Sequence, residues 1–121
     1  MSSALEDELM QQIEYARLAG VGIPVPEREY RFCPTRRWRA DFWFGGVLLG
    51  TDQHSGDLMV EVEGGTLTGG RHVRGQGFAD DVAKYNEASL MGITLIRCTS
   101  EMVKSGEGLR LIQRAMGIET A

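Results

Sequence analysis

Leu5, Leu9, Ile13 and Ala16 recur at helical spacing near the start of the chain, and Ser3-Ala4-Leu5-Glu6 has the form of a capping box. The spacing predicts an amphipathic helix over about 4–18, stopped at Gly20. Residues 21–37 hold Pro24, Pro26 and Pro34 and read as a connection with a short strand around 29–33. The period then shifts to two. Trp38, Ala40, Phe42 and Phe44 fall on one face and Arg39, Asp41 and Trp43 on the other, which predicts a strand over 38–44. Gly45-Gly46 ends or bends it, and 47–49 reads equally as an extension or as the start of a loop through 50–56. A second strand follows at 57–63, where Leu58, Val60 and Val62 alternate with Met59, Glu61 and Glu63.

Regular patterning then stops. Glycine stands at 64, 65, 69, 70, 75 and 77, so 64–77 reads as a long flexible loop, a type uncommon in compact domains unless it serves function. Beyond it the pattern predicts a helix at 78–91, a buried strand at 93–98 around Ile93, Leu95 and Ile96, and a last helix at 107–116 around Leu109, Ile112 and Met116. The order α-β-β-α-β-α suggests an α/β sandwich with a mixed sheet flanked by helices.

Composition narrows the class. The 121 residues suit one domain, 1–121, and 42% hydrophobic with 25% charged content describes an ordinary soluble globular protein. Cys33 and Cys98 both sit in apolar strand-like stretches, so two buried reduced thiols are expected rather than a disulfide framework or a zinc site. No apolar run approaches the roughly 18 residues of a membrane span. The segment MSSALEDELM is acidic and helical, unlike a signal peptide, so a cytoplasmic protein without membrane partners is expected.

Charge adds more. The net charge of −4 argues against a generic polyanion binder, yet the excess lies wholly in residues 1–29. There Glu6, Asp7, Glu8, Glu14, Glu27 and Glu29 face only Arg17 and Arg28. Residues 31–39 carry Arg31, Arg36, Arg37 and Arg39 with no acid, and Arg71-His72-Val73-Arg74 forms a second basic knot.

The main chemical constellation is Asp41 on one strand with Glu61 and Glu63 on the next. The two glutamates share a face about 6.5–7 Å apart, and Asp41 faces them if the strands pair. Converging carboxylates stay ionised only beside a compensating cation, and an oxygen-only set suits Mg²⁺ or Mn²⁺. The plainer alternative is a solvated strand face. Lys84 is likewise either half of an Asp80–Lys84 surface pair or a lysine that orients water or steadies a phosphate. Arg71, His72 and Arg74 on a glycine-rich backbone suit phosphate contacts, as do Arg36, Arg37 and Arg39 around Trp38, itself equally a core residue. No GxSxG, Walker-type or dinucleotide-binding glycine motif occurs.

The segments EYRFCPTRRWRADF (29–42), LMVEVEGG (58–65), GGRHVRGQGF (69–78), DVAKYNEA (81–88) and LIRCT (95–99) together resemble small phage and prophage-type members of the PD-(D/E)XK nuclease superfamily. The resemblance covers about 29–116. It implies a restriction-endonuclease-like core, with 64–77 as an active-site loop; the N-terminal helix within 1–20 precedes the matched stretch. The implied activity is that of a Mg²⁺- or Mn²⁺-dependent endodeoxyribonuclease, structure-specific, acting on branched or single-stranded DNA in a bacterial or phage-infected cell.

In that frame Asp41 matches the signature Asp and Glu61 the (D/E). Glu63 stands where lysine is usual, Lys84 is the candidate displaced lysine, and Glu14 is a further candidate metal ligand from the first helix. Arg36, Arg37, Arg39, Arg71, His72 and Arg74 fall to DNA binding. Bound metal would make the region beyond residue 29 net positive, so DNA binding is expected to need the metal. The alternative is a module that keeps the nuclease fold and binds nucleic acid or a partner without cutting. The apolar stripe of the first helix suits a homodimer face or core packing alike.

Overall fold

Ser3 opens the first helix, as its hydroxyl accepts the Glu6 N–H at 3.1 Å. A computed structural model describes residues 3–63 and 76–119. Helix α1 spans Ala4–Leu18, with Glu6 and Asp7 in its first turn and Arg17 in its last, the arrangement that suits the helix dipole. Strands β1 (Glu27–Arg31), β2 (Arg39–Leu49) and β3 (His54–Glu63) follow, then α2 (Gln76–Leu90), β4 (Thr94–Thr99), α3 (Ser100–Ser105) and α4 (Glu107–Ala115). The four strands form one mixed sheet in the order β1-β2-β3-β4. β1–β2 and β2–β3 are antiparallel, and β3–β4 is parallel with α2 as the crossover. Among the described residues no helix is long and apolar enough to cross a membrane.

The mixed α/β architecture matches expectation, but the order is α-β-β-β-α-β-α-α. The short strand lies at Glu27–Arg31 rather than 29–33, because its register is set by pairing with β2, Glu27 against Trp43 and Arg31 against Arg39. Residues 47–49 extend β2, and β3 begins at His54, so the hairpin connection is only Gly50–Gln53. The register shift between Phe44 and Val47 is absorbed at Gly46, whose φ is 63° and whose N–H donates to Asp57 Oδ1 at 2.8 Å. The segment after β4 turns helical because Thr99 caps it, accepting the Met102 N–H at 3.2 Å. Gly106, in the left-handed region at φ 85°, then separates α3 from α4.

Two cores lie on the two faces of the sheet. Phe42, Phe44, Leu58 and Val60 pack with Leu9, Ile13, Val103 and Ile112 from α1, α3 and α4. Met59 and Ala40 pack with Phe32, Cys33, Ala88 and Ile93, joined by Trp38, Trp43 and Tyr85. Ala40 and Trp38 thus lie with Trp43, not with Phe42 and Phe44 as strict alternation requires. The break falls at Asp41, opposite which Glu29 adopts a left-handed φ of 54°. Cys33 and Cys98 are buried free thiols, and burial pushes the Cys98 thiol up to about 11.

Candidate functional site

The same irregularity builds the site. The β2–β3 register runs down to Phe42 against Val60, and beyond it two main-chain donors turn to side chains. The Asp41 N–H donates to Glu61 Oε2 at 2.8 Å, and the Val62 N–H donates to Asp41 Oδ2 at 2.8 Å. Each carboxylate therefore occupies the place of a ladder carbonyl, which fixes both groups between the strands. Lys84, from the middle of α2, reaches the sheet and ion-pairs with Glu61 Oε1 while donating to the Arg39 carbonyl at 2.8 Å. Glu61 is one of two buried charged residues among those described, at 5% exposure; the other is Glu6.

On the far side of Asp41 lie Glu6 from α1 and Glu29 from β1. One carboxylate oxygen from each of the three lies within 4.8 Å of the others. Glu6 is in helical phase with Leu9 and Ile13, so the packing that buries those two carries Glu6 to the sheet. Glu6 Oε2 accepts from Ser3 Oγ at 3.4 Å, whereas the buried Oε1 has no hydrogen bond and only the Arg28 guanidinium 3.7 Å away. That oxygen-only donor set, with an orphaned buried oxygen, fits a hard divalent cation. Glu6, Glu29 and Asp41 are the described residues best placed to hold one, with Glu61 next to Asp41.

Asp41, Glu61 and Lys84 are thus brought together. Glu63 shares the neighbourhood but is engaged elsewhere. Its carboxylate takes Arg97 through two bonds, 2.6 Å from Nε and 2.9 Å from Nη2, and the Tyr85 hydroxyl at 3.0 Å. Glu14 is exposed, about 12 Å further along α1 than Glu6, at a shallow depression with Gln11, Tyr15 and Leu18. The Arg36 guanidinium lies over the Trp38 ring, 4.0 Å from its centroid, and Arg36, Arg37 and Arg39 are exposed around the β1–β2 connection. Trp38 is half-buried against the second core, so its ring serves the core and Arg36 together. Arg71, His72, Arg74 and most of the 64–77 loop lie outside the described residues.

The electrostatics follow from burial. Burial raises the Glu61 carboxyl above the ordinary carboxylate range, against the pull of Lys84. Burial likewise raises Asp41, against the Val62 N–H, and raises Glu6, with Asp41 and Glu29 adding repulsion. Glu63 moves the other way, held down by its hydrogen bonds from Arg97. In the three raised groups the folded protein keeps protons that the unfolded chain releases near pH ~4. Their contribution to stability is therefore lost as pH rises through the raised values. The Glu63 contribution is present above ~4.5 and lost as pH falls through its lowered value.

Denaturation midpoints measured in EDTA should accordingly decline from mildly acidic pH toward pH 8, and Asp41→Asn should flatten that decline. Added Mg²⁺ should restore stability at pH 8 more than at pH 5, because protons compete for the same oxygens. Identical curves with and without metal would leave the three carboxylates without a ligand.

Fold and side chains together define a mixed α/β protein with a carboxylate–lysine cluster where two central strands part. No family model, no curated protein and no solved structure matches the chain. The reading of function rests on the cluster itself.

Proposed function

We propose that the protein is a Mg²⁺- or Mn²⁺-dependent endodeoxyribonuclease with a restriction-endonuclease-like core of the PD-(D/E)XK kind, cutting branched or single-stranded DNA. One observation carries the reading: Asp41 lies between the Glu6–Glu29 carboxylates and the Glu61–Lys84 pair. A solvated acidic strand face, the plainer alternative for Glu61, does not need a lysine from a helix 23 positions away brought down onto a 5%-exposed carboxylate.

A divalent cation, when bound, supplies a Lewis acid for phosphoryl oxygens and a water of lowered pKa. Asp41, Glu6 and Glu29 would hold it. Glu61 holds Lys84 by its ion pair and fixes Asp41 through the main-chain N–H. Lys84 sets a positive group beside Asp41 to offset charge developing on the phosphoryl oxygens and to orient the attacking water. Arg36, Arg37 and Arg39 offer exposed guanidiniums to the DNA backbone.

Incubating the protein with plasmid, single-stranded DNA and a branched junction, in Mg²⁺, Mn²⁺ or EDTA, tests the reading directly. Metal-dependent cleavage of at least one substrate is expected, and its absence on all three overturns the nuclease assignment. A gel shift without cleavage would favour the non-cutting module. That second reading draws on the closure of both Glu61 oxygens by Lys84 and the Asp41 N–H.

A further inference from the structure

Arg97 is a cation beside the cluster that the proposed chemistry leaves unused. It stands on β4, an edge strand, in register with Glu61 on the neighbouring β3. Partners in register on adjacent strands lie about 4.8 Å apart, and Asp41 lies one strand further, so Arg97 is roughly 10 Å from the Asp41 backbone. Glu63 grips its Nε and Nη2, and the guanidinium lies over the Tyr85 ring, 4.6 Å from the centroid. The Arg97 side chain is still 51% exposed, whereas the Glu63 side chain beneath it is 18% exposed.

We propose that Arg97 binds a phosphate of the substrate strand next to the one being cut, and that Glu63 and Tyr85 are positioning residues for it. The inference rests on the nucleic-acid reading above and names how that substrate is gripped. An arginine carries five N–H donors in a planar fork. The Glu63 carboxylate uses the Nε–Nη2 edge, and the end of the fork, one Nη1–H with the second Nη2–H, is the pair that suits a bidentate partner such as a phosphate. A long side chain held in advance on two sides loses little further freedom on binding. This also gives Glu63 a task, at a position where the nuclease pattern calls for a lysine or a metal ligand.

The test uses Asp41→Asn as a non-cutting background and measures binding of a fluorescent DNA 20-mer by anisotropy from about 50 to 200 mM salt. Adding Arg97→Gln should weaken binding about five- to tenfold and lower the slope of log K against log salt by about 0.7–0.9, one phosphate contact. Arg97→Lys should recover the slope, since the charge remains, but only part of the affinity, since the fork is gone. Glu63→Gln should weaken binding less than Arg97→Gln and leave the slope in place. In the cutting protein, Arg97→Gln should act on KM more than on kcat. An unchanged slope in Arg97→Gln, with Arg97→Gln and Arg97→Lys both lowering the unfolding midpoint, would reduce Arg97 to a structural ion pair and overturn the proposal. If neither the Asp41→Asn protein nor the unsubstituted protein in Ca²⁺, which keeps Asp41 as a metal ligand, binds DNA at any salt, the nucleic-acid reading itself falls, a result separable from loss of the slope change alone.

Discussion

Asp41→Asn should cut metal-dependent DNA cleavage by about 10³-fold while making the metal-free protein more stable. A thousandfold loss corresponds to about 4 kcal/mol of transition-state stabilisation. It is expected because, among the described residues, Asp41 joins both halves of the cluster: its carboxylate lies within 4.8 Å of those of Glu6 and Glu29, and its main-chain N–H donates to Glu61. Asparagine is the informative replacement. Its carbonyl oxygen can go on accepting the Val62 N–H, now bonded to Asp41 Oδ2 at 2.8 Å, so no buried donor is stranded.

Its neutral amide also removes the repulsion between Asp41 and the Glu6 and Glu29 carboxylates. Burial already raises the Asp41 carboxyl, so losing that charge should raise the stability of the apo protein at pH 8. Activity and stability moving in opposite directions is the signature of a site strained for function. Parallel losses would mean that Asp41 is a fold residue, and retained cleavage would mean the site is elsewhere or a contaminant cuts.

The parts of this arrangement that follow a local period are legible in the amino-acid sequence. Helix α1, strand β3 and the last helix overlap their expected spans because side-chain period reports burial, whereas β2 runs on to Leu49 and its alternation breaks at Asp41. The convergence of Asp41 with Glu61 requires only that those two strands pair, and they do. What the sequence does not show depends on long-range register. Glu29 reaches Asp41 only because β1 adds to the edge of β2 and takes a left-handed φ there. Arg97 meets the Glu61 row only through the parallel β3–β4 pairing across α2.

Glu6 does leave a signal. It is an acid in phase with Leu9 and Ile13 on the buried stripe, whereas Glu14 falls off that stripe into solvent. An acid on an apolar stripe is either compensated or functional, and the capping-box pattern, which accounts for an acid at that position by itself, masks the second possibility.

Lys84→Met carries the other large effect, and it separates two meanings of one lysine. By spacing alone, Lys84 is half of a helix-surface pair with Asp80, and its loss should cost a few tenths of a kcal/mol. The structure gives it a side chain only 14% exposed, bonded to the Arg39 carbonyl and ion-paired with Glu61, whose side chain is 6% exposed. Removing one partner of a buried pair leaves an uncompensated charge, so urea denaturation at pH 8 should show a loss of about 3–5 kcal/mol, ten times the surface value.

The loss should shrink as pH falls, because Glu61, already raised by burial, is raised further without Lys84 and takes up a proton. Lys84→Met/Glu61→Gln should recover most of the stability, since a neutral pair of similar volume strands no charge. Cleavage should not recover with it. The double variant would then be as well folded as the parent, with neither the cation that offsets phosphate charge nor the carboxylate that holds it. Recovery of stability and activity together would assign the pair to the fold alone. A loss of only a few tenths at pH 8 would return Lys84 to the surface.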